Sequence, residues 1–291
     1  MSPESAPRKR NIGDYRRSGD WSDYWSTKIG FAEDSKILVR GYPVEELIEN
    51  TSFAESAWLL IKGELPTSQS ARMFELVLMS GMDQQFISSE VCAARNVASA
   101  VPENPVAAVA AGMLATGSVT GSPADAVAMI YRAYDLQQQE RLSPEGTAAR
   151  VVDGYLSERK RIPGIGHPLH TRFDPRAEAL RRAVTRLGRW QEKASLFDAI
   201  HGEFVRRRGS FIPQNLAGVA GCVYAELGFE PLEVSALSAV GYAMALVAHV
   251  VEEIKEGVPL RIVPQALGAK YVGPPERHIA GPVGGPIDGN P

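Results

Sequence analysis

Apolar residues along this chain recur at helical spacing, and the breaks between them carry helix-start and helix-stop chemistry. Pro43-Val-Glu-Glu-Leu-Ile-Glu places proline in a first turn with acids behind it. Thr51-Ser-Phe-Ala-Glu opens the next helix with the S/T-x-x-E capping spacing. That helix runs through Trp58 and Leu60 and stops at Gly63, and Pro66-Thr67 opens another carrying Phe74, Leu76 and Leu78. Further helices are predicted over 89–100, 105–116, 123–138, 144–158, 175–188, 192–207, 215–227, 231–257 and 264–270. Strand-like alternation is nearly absent outside Lys36-Ile-Leu-Val-Arg before Gly41-Tyr42. The pattern predicts an all-α protein with at most a small N-terminal hairpin.

The ends read differently. Residues 1–20 are polar and basic, without the apolar core of a signal peptide, and are expected to be mobile. Residues 271–291 form a Gly/Pro-rich tail. The longest apolar run, Val234 to Val251, contains Ser235, Ser238 and His249 and is expected as a helix buried in protein, not a membrane span. The 291 residues are 44% hydrophobic and carry a net charge of -3, which gives no reason to expect nucleic acid or an anionic membrane as partner. Any anionic ligand must then be held by a local cluster. Two cysteines, Cys92 and Cys222, lie in alanine- and valine-rich helical runs and read as buried thiols of a reducing compartment. The cytoplasm is the expected location.

Candidate chemistry concentrates in Gly164 to Leu180, GIGHPLHTRFDPRAEAL. His167 and His170 lie three residues apart, but Pro168 separates them and no H-E-x-x-H or C-x-x-C accompanies them, which disfavours a metal site. Gly164 and Gly166 bracket Ile165, so backbone can approach a ligand there, with His167 at the end of the turn. Asp174-Pro175 supplies an N-cap and a first helical proline. Arg176 on that first turn is poorly matched to the helix dipole, so it calls for a carboxylate or phosphate partner. The alternative is a solvated arginine and a histidine that merely closes a turn.

The segment resembles the citrate synthase family, which includes citryl-CoA lyases and the lyase domain of ATP-citrate lyases. In that family a G-x-G-H turn leads into D-P-R; here it reads Gly164-Ile165-Gly166-His167 and Asp174-Pro175-Arg176. Arg40-Gly41-Tyr42-Pro-Val-Glu-Glu-Leu-Ile resembles the family's R-G-Y-x-I-E-E-L, and Phe53 through Gly63-Glu64-Leu65-Pro66 resembles its S-F-x-E-x-A-x-L-L-x-x-G-E-L-P. Asn215-Leu216 through Gly228 and Ala248-His249-Val-Val-Glu252 are similar to two further motifs, so the resemblance spans residues 37 to 270 in family order. It implies a multi-helical domain over 21–270, large, with a smaller helical portion at about 160–230.

The departures bear on activity. In the family's G-x-x-H-G, Thr120 stands for the histidine, before Gly121, and Ala217 stands where a carboxylate base should follow Asn215-Leu216. Arginines that hold substrate carboxylates in synthases correspond to Tyr242 and Gln265, and Gln84 stands for another substrate-binding histidine. Of the usual constellation His167 and Arg176 survive. The resemblance implies coenzyme A as acyl-CoA substrate or product, its adenine near Ile162, Gly164, Ile165 and Gly166 and its phosphates on Arg172 and Lys160 or Arg161. No metal is implied. The expected reaction is citryl-CoA lyase-like retro-aldol cleavage of a 3-hydroxyacyl-CoA. His167 would take the hydroxyl proton, Arg176 would hold a carboxylate, and Thr120, His170 or the backbone of Gly121 would donate to the enolate. Alternatives are a condensing acyltransferase, a thioester hydrolase, and an inactive CoA-ester-binding paralogue. The family's members imply a homodimer, with a small carboxylic acid beside the acyl-CoA. His249 reads as a hydrogen-bonded core residue, and Glu252 and Glu253 as surface or interface charges.

Overall fold

The computed structural model describes residues 10–117 and 122–278. The lead-in expected to be mobile carries a short helix, α1 (Ile12–Ser18), which Asn11 and Asp14 cap reciprocally. The expected hairpin is present and gains a third strand: β1 (Gly30–Glu33), β2 (Lys36–Val39) and β3 (Tyr42–Pro43) pair antiparallel in that order. Arg40 sits at φ 51 between β2 and β3, and its Nε donates to the Leu60 carbonyl at 3.0 Å. The R-G-Y motif therefore fastens the sheet to a helix end.

Helices follow in the order predicted. First come α2 (Val44–Asn50), α3 (Phe53–Lys62), α4 (Ser68–Ser80), a 3-10 turn at Gln85–Ile87, α5 (Ser89–Ala100) and α6 (Pro105–Leu114). Then come α7 (Pro123–Glu140), α8 (Pro144–Ser157), α9 (Pro175–Arg186), α10 (Glu192–Arg208), α11 (Leu216–Glu226), α12 (Pro231–Glu256) and the four-residue α13 (Gln265–Gly268). The caps act as their sequence suggested. Ser52 and Glu55 exchange bonds at the start of α3, and Gly63 ends it at φ 89. Asp174 caps α9 with Pro175 behind it.

Two apolar clusters hold these helices. The larger joins α3, α4 and α7 to α11, with Trp58, Phe74 and Phe229 mutually in ring contact at 4.9 to 5.6 Å. Full burial of such a side chain contributes about 1.5–3 kcal/mol. Residues 160–230, expected as a smaller portion, share this core with α4, α7 and α8. The smaller cluster joins α5, α6 and α12 through Val91, Ala94, Ala98, Ala108, Leu246 and Val250. Gly112 lets α6 press on α5, since a Cβ there would lie 2.9 Å from the Glu90 carbonyl.

Three expectations need correction. Within one chain α12 is not a buried helix: only 22% of its apolar window is buried, and by length and composition it could cross a membrane. Val234, Leu237, Leu246 and Val250 face inward, whereas Leu232, Met244, Val247 and Val251 are exposed, because α4 to α7 pack on one side of it only. Cys222 is buried but Cys92 is exposed, on the outer side of α5. Glu253 is not a surface charge. It is buried at 3% exposure between Arg95, 158 residues away, and Arg261, eight residues on.

Candidate functional site

The glycine turn is stapled to the start of α11. Gly164 (φ +84) and Gly166 (φ +91) take backbone conformations that side chains disfavour. A Cβ on Gly164 would meet the Gly218 Cα at 2.4 Å, and one on Gly218 would meet the Gly164 carbonyl at 2.6 Å. Backbone N–H groups of Asn215 and Gly166 donate to the Gly164 and Pro213 carbonyls, at 2.9 and 2.8 Å. The Asn215 side chain caps α11 by accepting from Gly218 N and donates its Nδ2 to the Gly166 carbonyl. Two glycines in contact and an asparagine bonded both ways fix where His167 begins.

His167 is oriented by its own turn. Its Nδ1 accepts the backbone N–H groups of Leu169 (3.1 Å) and His170 (3.0 Å). A nitrogen that accepts cannot carry the proton, so the neutral ring holds its proton on Nε2. Burial, together with the neighbouring His170 and Arg176, holds its pKa below the ordinary histidine range against the pull of Asp174. Neutral His167 is thus placed to donate from Nε2, where the sequence-based expectation had it take a hydroxyl proton. The His170 ring lies over that of His167, centroids 4.4 Å apart, and neither of its nitrogens is hydrogen-bonded among the described residues.

His167, His170 and Asp174 bring potential ligand atoms within 4.8 Å of one another, which reopens the question of a metal. Lone pairs answer it. Oδ1 of Asp174 accepts from Arg176 N and Nε, and Oδ2 accepts from Arg176 Nη2 and Leu216 N. Both oxygens are saturated, as is Nδ1 of His167, and the nitrogens left over on the two rings make a poor cation site.

Arg176 has the carboxylate partner that its position demanded, and it is internal. Asp174, fully buried, grips Nε and Nη2 side-on at 3.1 and 3.0 Å. Burial raises the Asp174 pKa, but the Arg176 guanidinium and two backbone N–H groups hold it below the usual carboxylate range. From 92 residues away Gln84 Oε1 accepts from Arg176 Nη1 at 3.1 Å, while Gln84 Nε2 donates to Gly81 O. Three of the five guanidinium N–H groups are thus engaged, and one is left on each terminal nitrogen. That pair fits one carboxylate.

The remaining residues divide. Ala217 lies half-buried in the first turn of α11, beside Asp174's contact with Leu216 N, and supplies no proton acceptor. Tyr242 donates its hydroxyl to Thr116 Oγ1 at 3.0 Å, and burial raises its pKa. The preceding Gly241 faces the Leu78 and Gly81 carbonyls, which brings α12 against the turn that carries Gln84. Gln265 sits exposed on α13, and among the described residues no contact ties it to Arg176. Ile162 is corrected as a coenzyme contact, since its side chain is buried in the large core. Ile165 packs partly against that core. Arg161 and Arg172 are exposed and unpaired among the described residues, whereas Lys160 bonds Glu158 at 2.6 Å. Thr120 and Gly121 lie outside the described residues.

His249 is hydrogen-bonded, as expected, with Nε2 on Asp83 at 3.1 Å and Nδ1 toward Arg95 at 3.4 Å. This pair holds the residue next to Gln84. Sequence reading singled out Gln84, but its tie to Arg176 and the Asp83–His249 brace join segments too far apart for any local pattern to show.

Comparison with known proteins agrees with this geometry. The family profile described as citrate synthase, C-terminal domain, matches residues 23–89 and 68–263. The structure superposes on citryl-CoA lyase from Hydrogenobacter thermophilus with a TM-score of 0.78 at 32% identity, covering 88% of this chain and 97% of that one. A citrate synthase of Deinococcus radiodurans is 24% identical over 223 residues, 75% of this chain and 55% of its own length. The 2-methylcitrate synthase 1 of Corynebacterium glutamicum is 46% identical over 57 residues, 20% of this chain and 15% of its own length. The chain therefore matches about half, or less, of the length of these two synthases.

Proposed function

Because this chain belongs to the citrate synthase family, we propose that it acts on an acyl-CoA as a carbon–carbon lyase. It cleaves a 3-hydroxyacyl-CoA to a carbonyl compound and an acyl-CoA. The observation that carries this reading is the pair of backbone N–H groups on Nδ1 of His167, which leaves Nε2–H to donate. Arg176 anchors a carboxylate, and His167 Nε2–H holds the hydroxyl oxygen and stabilises charge on it. His170, whose ring nitrogens are unbonded among the described residues, accepts the hydroxyl proton. The carbon–carbon bond breaks, its electron pair passes to the α-carbon of the thioester, and the enolate takes a proton from water while His170 returns the hydroxyl proton to the hydroxide so formed.

Ala217 bears on which step is unassisted, that of proton transfer at the α-carbon. Condensation requires a base for a weakly acidic thioester methyl, and a positioned carboxylate supplies roughly 10²–10⁴ of such a rate. Ala217 supplies none, whereas a formed enolate needs no base to gain a proton. Arg161 and Arg172, unpaired among the described residues and flanking Gly164 to Gly166 in sequence, are the cations for coenzyme A phosphates. The exposed apolar side of α12, with Val106 and Leu114 of α6, is the face a second copy covers in the proposed homodimer. A second reading, an inactive CoA-ester binder, is favoured by the same Ala217.

Incubation with citryl-CoA and related 3-hydroxyacyl-CoA esters, read for carbonyl product and free CoA, tests this. The expected result is carbonyl compound and acyl-CoA in equal amounts, with His167→Ala slower by about 10²–10³. Free CoA alone supports a hydrolase. Equal silence of wild type and His167→Ala, with CoA still bound, supports the inactive binder and ends the lyase reading.

A further inference from the structure

We infer that the substrate carries one free carboxylate beside its hydroxyl and no second: a 3-carboxy-3-hydroxyacyl-CoA, whose carbonyl product is a 2-oxo monocarboxylate. This rests on the lyase reading and names the substrate class of that site. The first ground is the hydrogen-bond count on Arg176, which leaves two N–H groups, one per terminal nitrogen. One carboxylate takes both.

The second ground is charge. Asp174 is wholly buried and already balances Arg176, so one bound carboxylate brings the cluster to one net negative charge. A second carboxylate needs another cation, and among the described residues on the elements around Arg176 the uncommitted one is Arg172, which the proposed function gives to the coenzyme A phosphates. Gln84 is neutral, and Tyr242 is neutral with its hydroxyl given to Thr116. Arg95 is engaged by Glu252 and Glu253, Arg181 by Asp198 and Gln214, and His249 by Asp83. His167 and His170 face the reacting oxygen, and their donor and acceptor roles are taken by it. Like charge brought beside this balanced pair without a partner is repelled.

The third ground is the rim. Leu169 and Phe173 stand exposed on the loop that carries both histidines and Asp174, and the Ile212 side chain faces Gly166. A substituent extending beyond the anchored carboxylate meets apolar surface, which suits hydrogen or alkyl and not a second acid.

When such a substrate is cleaved, the hydroxyl-bearing carbon becomes the 2-oxo carbon and its carboxylate stays on Arg176. The carbon–carbon electron pair leaves on the acyl-CoA, which gains the proton. No oxidant or further reactant enters.

Binding decides the matter without turnover. Calorimetric titration of the full chain, saturated with CoA, is run with pyruvate, oxaloacetate and acetone. Pyruvate is expected to bind at least tenfold tighter than oxaloacetate, with acetone undetected. Arg176→Gln loses the pyruvate signal, and Tyr242→Arg, which restores a cation on α12, raises oxaloacetate affinity about tenfold. Oxaloacetate binding as tightly as pyruvate, acetone binding as well as either, or no acid binding at all overturns the inference. Tighter pyruvate binding with no CoA ester cleaved leaves the inference standing and removes the lyase reading instead.

Discussion

Two buried carboxylate–arginine clusters lie on either side of Gln84, and they differ in what they leave over. In one, Glu253 sits between Arg95 and Arg261, with Glu252 on the outer side of Arg95; two cations meet two acids. Arg95 is buried beneath the Phe86 ring and His249. In the other, Asp174 grips Arg176 from one side only, and the Arg176 side chain keeps 23% exposure and, among the described residues, two unengaged N–H groups. Both acids have pKa values held below the usual range by arginine despite burial, so perturbed titration alone does not tell them apart. The first cluster ties α5, α12 and the C-terminal segment together. The second presents an opening. What separates structure from site is the count of donors left unused, not the presence of a buried ion pair.

The largest expected effect breaks the closed cluster. Glu253→Ala strands two arginines, one of them buried, and should cost about 3–5 kcal/mol of stability in urea unfolding. CoA binding by the surviving folded fraction should be unchanged. If coenzyme affinity falls in parallel, the two clusters are one unit and the contrast fails. Gly164→Ala attacks the open side: the new Cβ would overlap Gly218 Cα at a φ of +84. Strain of this kind costs about 1–3 kcal/mol, and coenzyme binding should weaken with it. A variant as stable as wild type would show that the turn relaxes freely and does not fix His167. Gln84→Ala is gentler. It frees a third guanidinium N–H and removes one charge-assisted bond, worth about 1.5–3 kcal/mol when fully formed and less at this partly exposed site. A raised KM with kcat nearly kept is the expected signature, and an unchanged KM would detach Gln84 from Arg176.

The sequence made one half of this contrast visible. Asp174-Pro175-Arg176 follows a helix-start pattern, and the glycines at 164 and 166 announce a turn, so the open cluster was legible within thirteen residues. Its completion was not. Gln84 reaches Arg176 across 92 residues, and nothing local marks that pairing. The closed cluster was misread for the same reason: two glutamates at the end of an apolar helix look like a solvated terminus. Glu253 is buried only because Arg95 and the chain at Arg261 fold over it. The helix α12 shows a different limit. Its composition is that of a buried element, but one chain supplies packing for one side only. The tautomer of His167 depends on two N–H groups curling back after Pro168, a backbone path that residue types do not specify.

The smallest effect concerns that tautomer and bears on the open cluster directly. The His167 pKa lies below the ordinary histidine range, with burial the main cause. As pH falls below about 6.5, the unfolded chain takes up this proton before the folded one does. The stability His167 contributes is therefore complete above that pH and is lost as pH drops through the folded value. His167→Gln should accordingly lose less stability than wild type between pH 7.5 and 5, by a margin smaller than any of the preceding effects because the ring is partly exposed. Nitrogen NMR of the same ring should show an unprotonated Nδ1 and a protonated Nε2 at pH 7. A proton found on Nδ1 instead would break the assignment of His167 as donor, and with it the reason for giving the hydroxyl proton to His170.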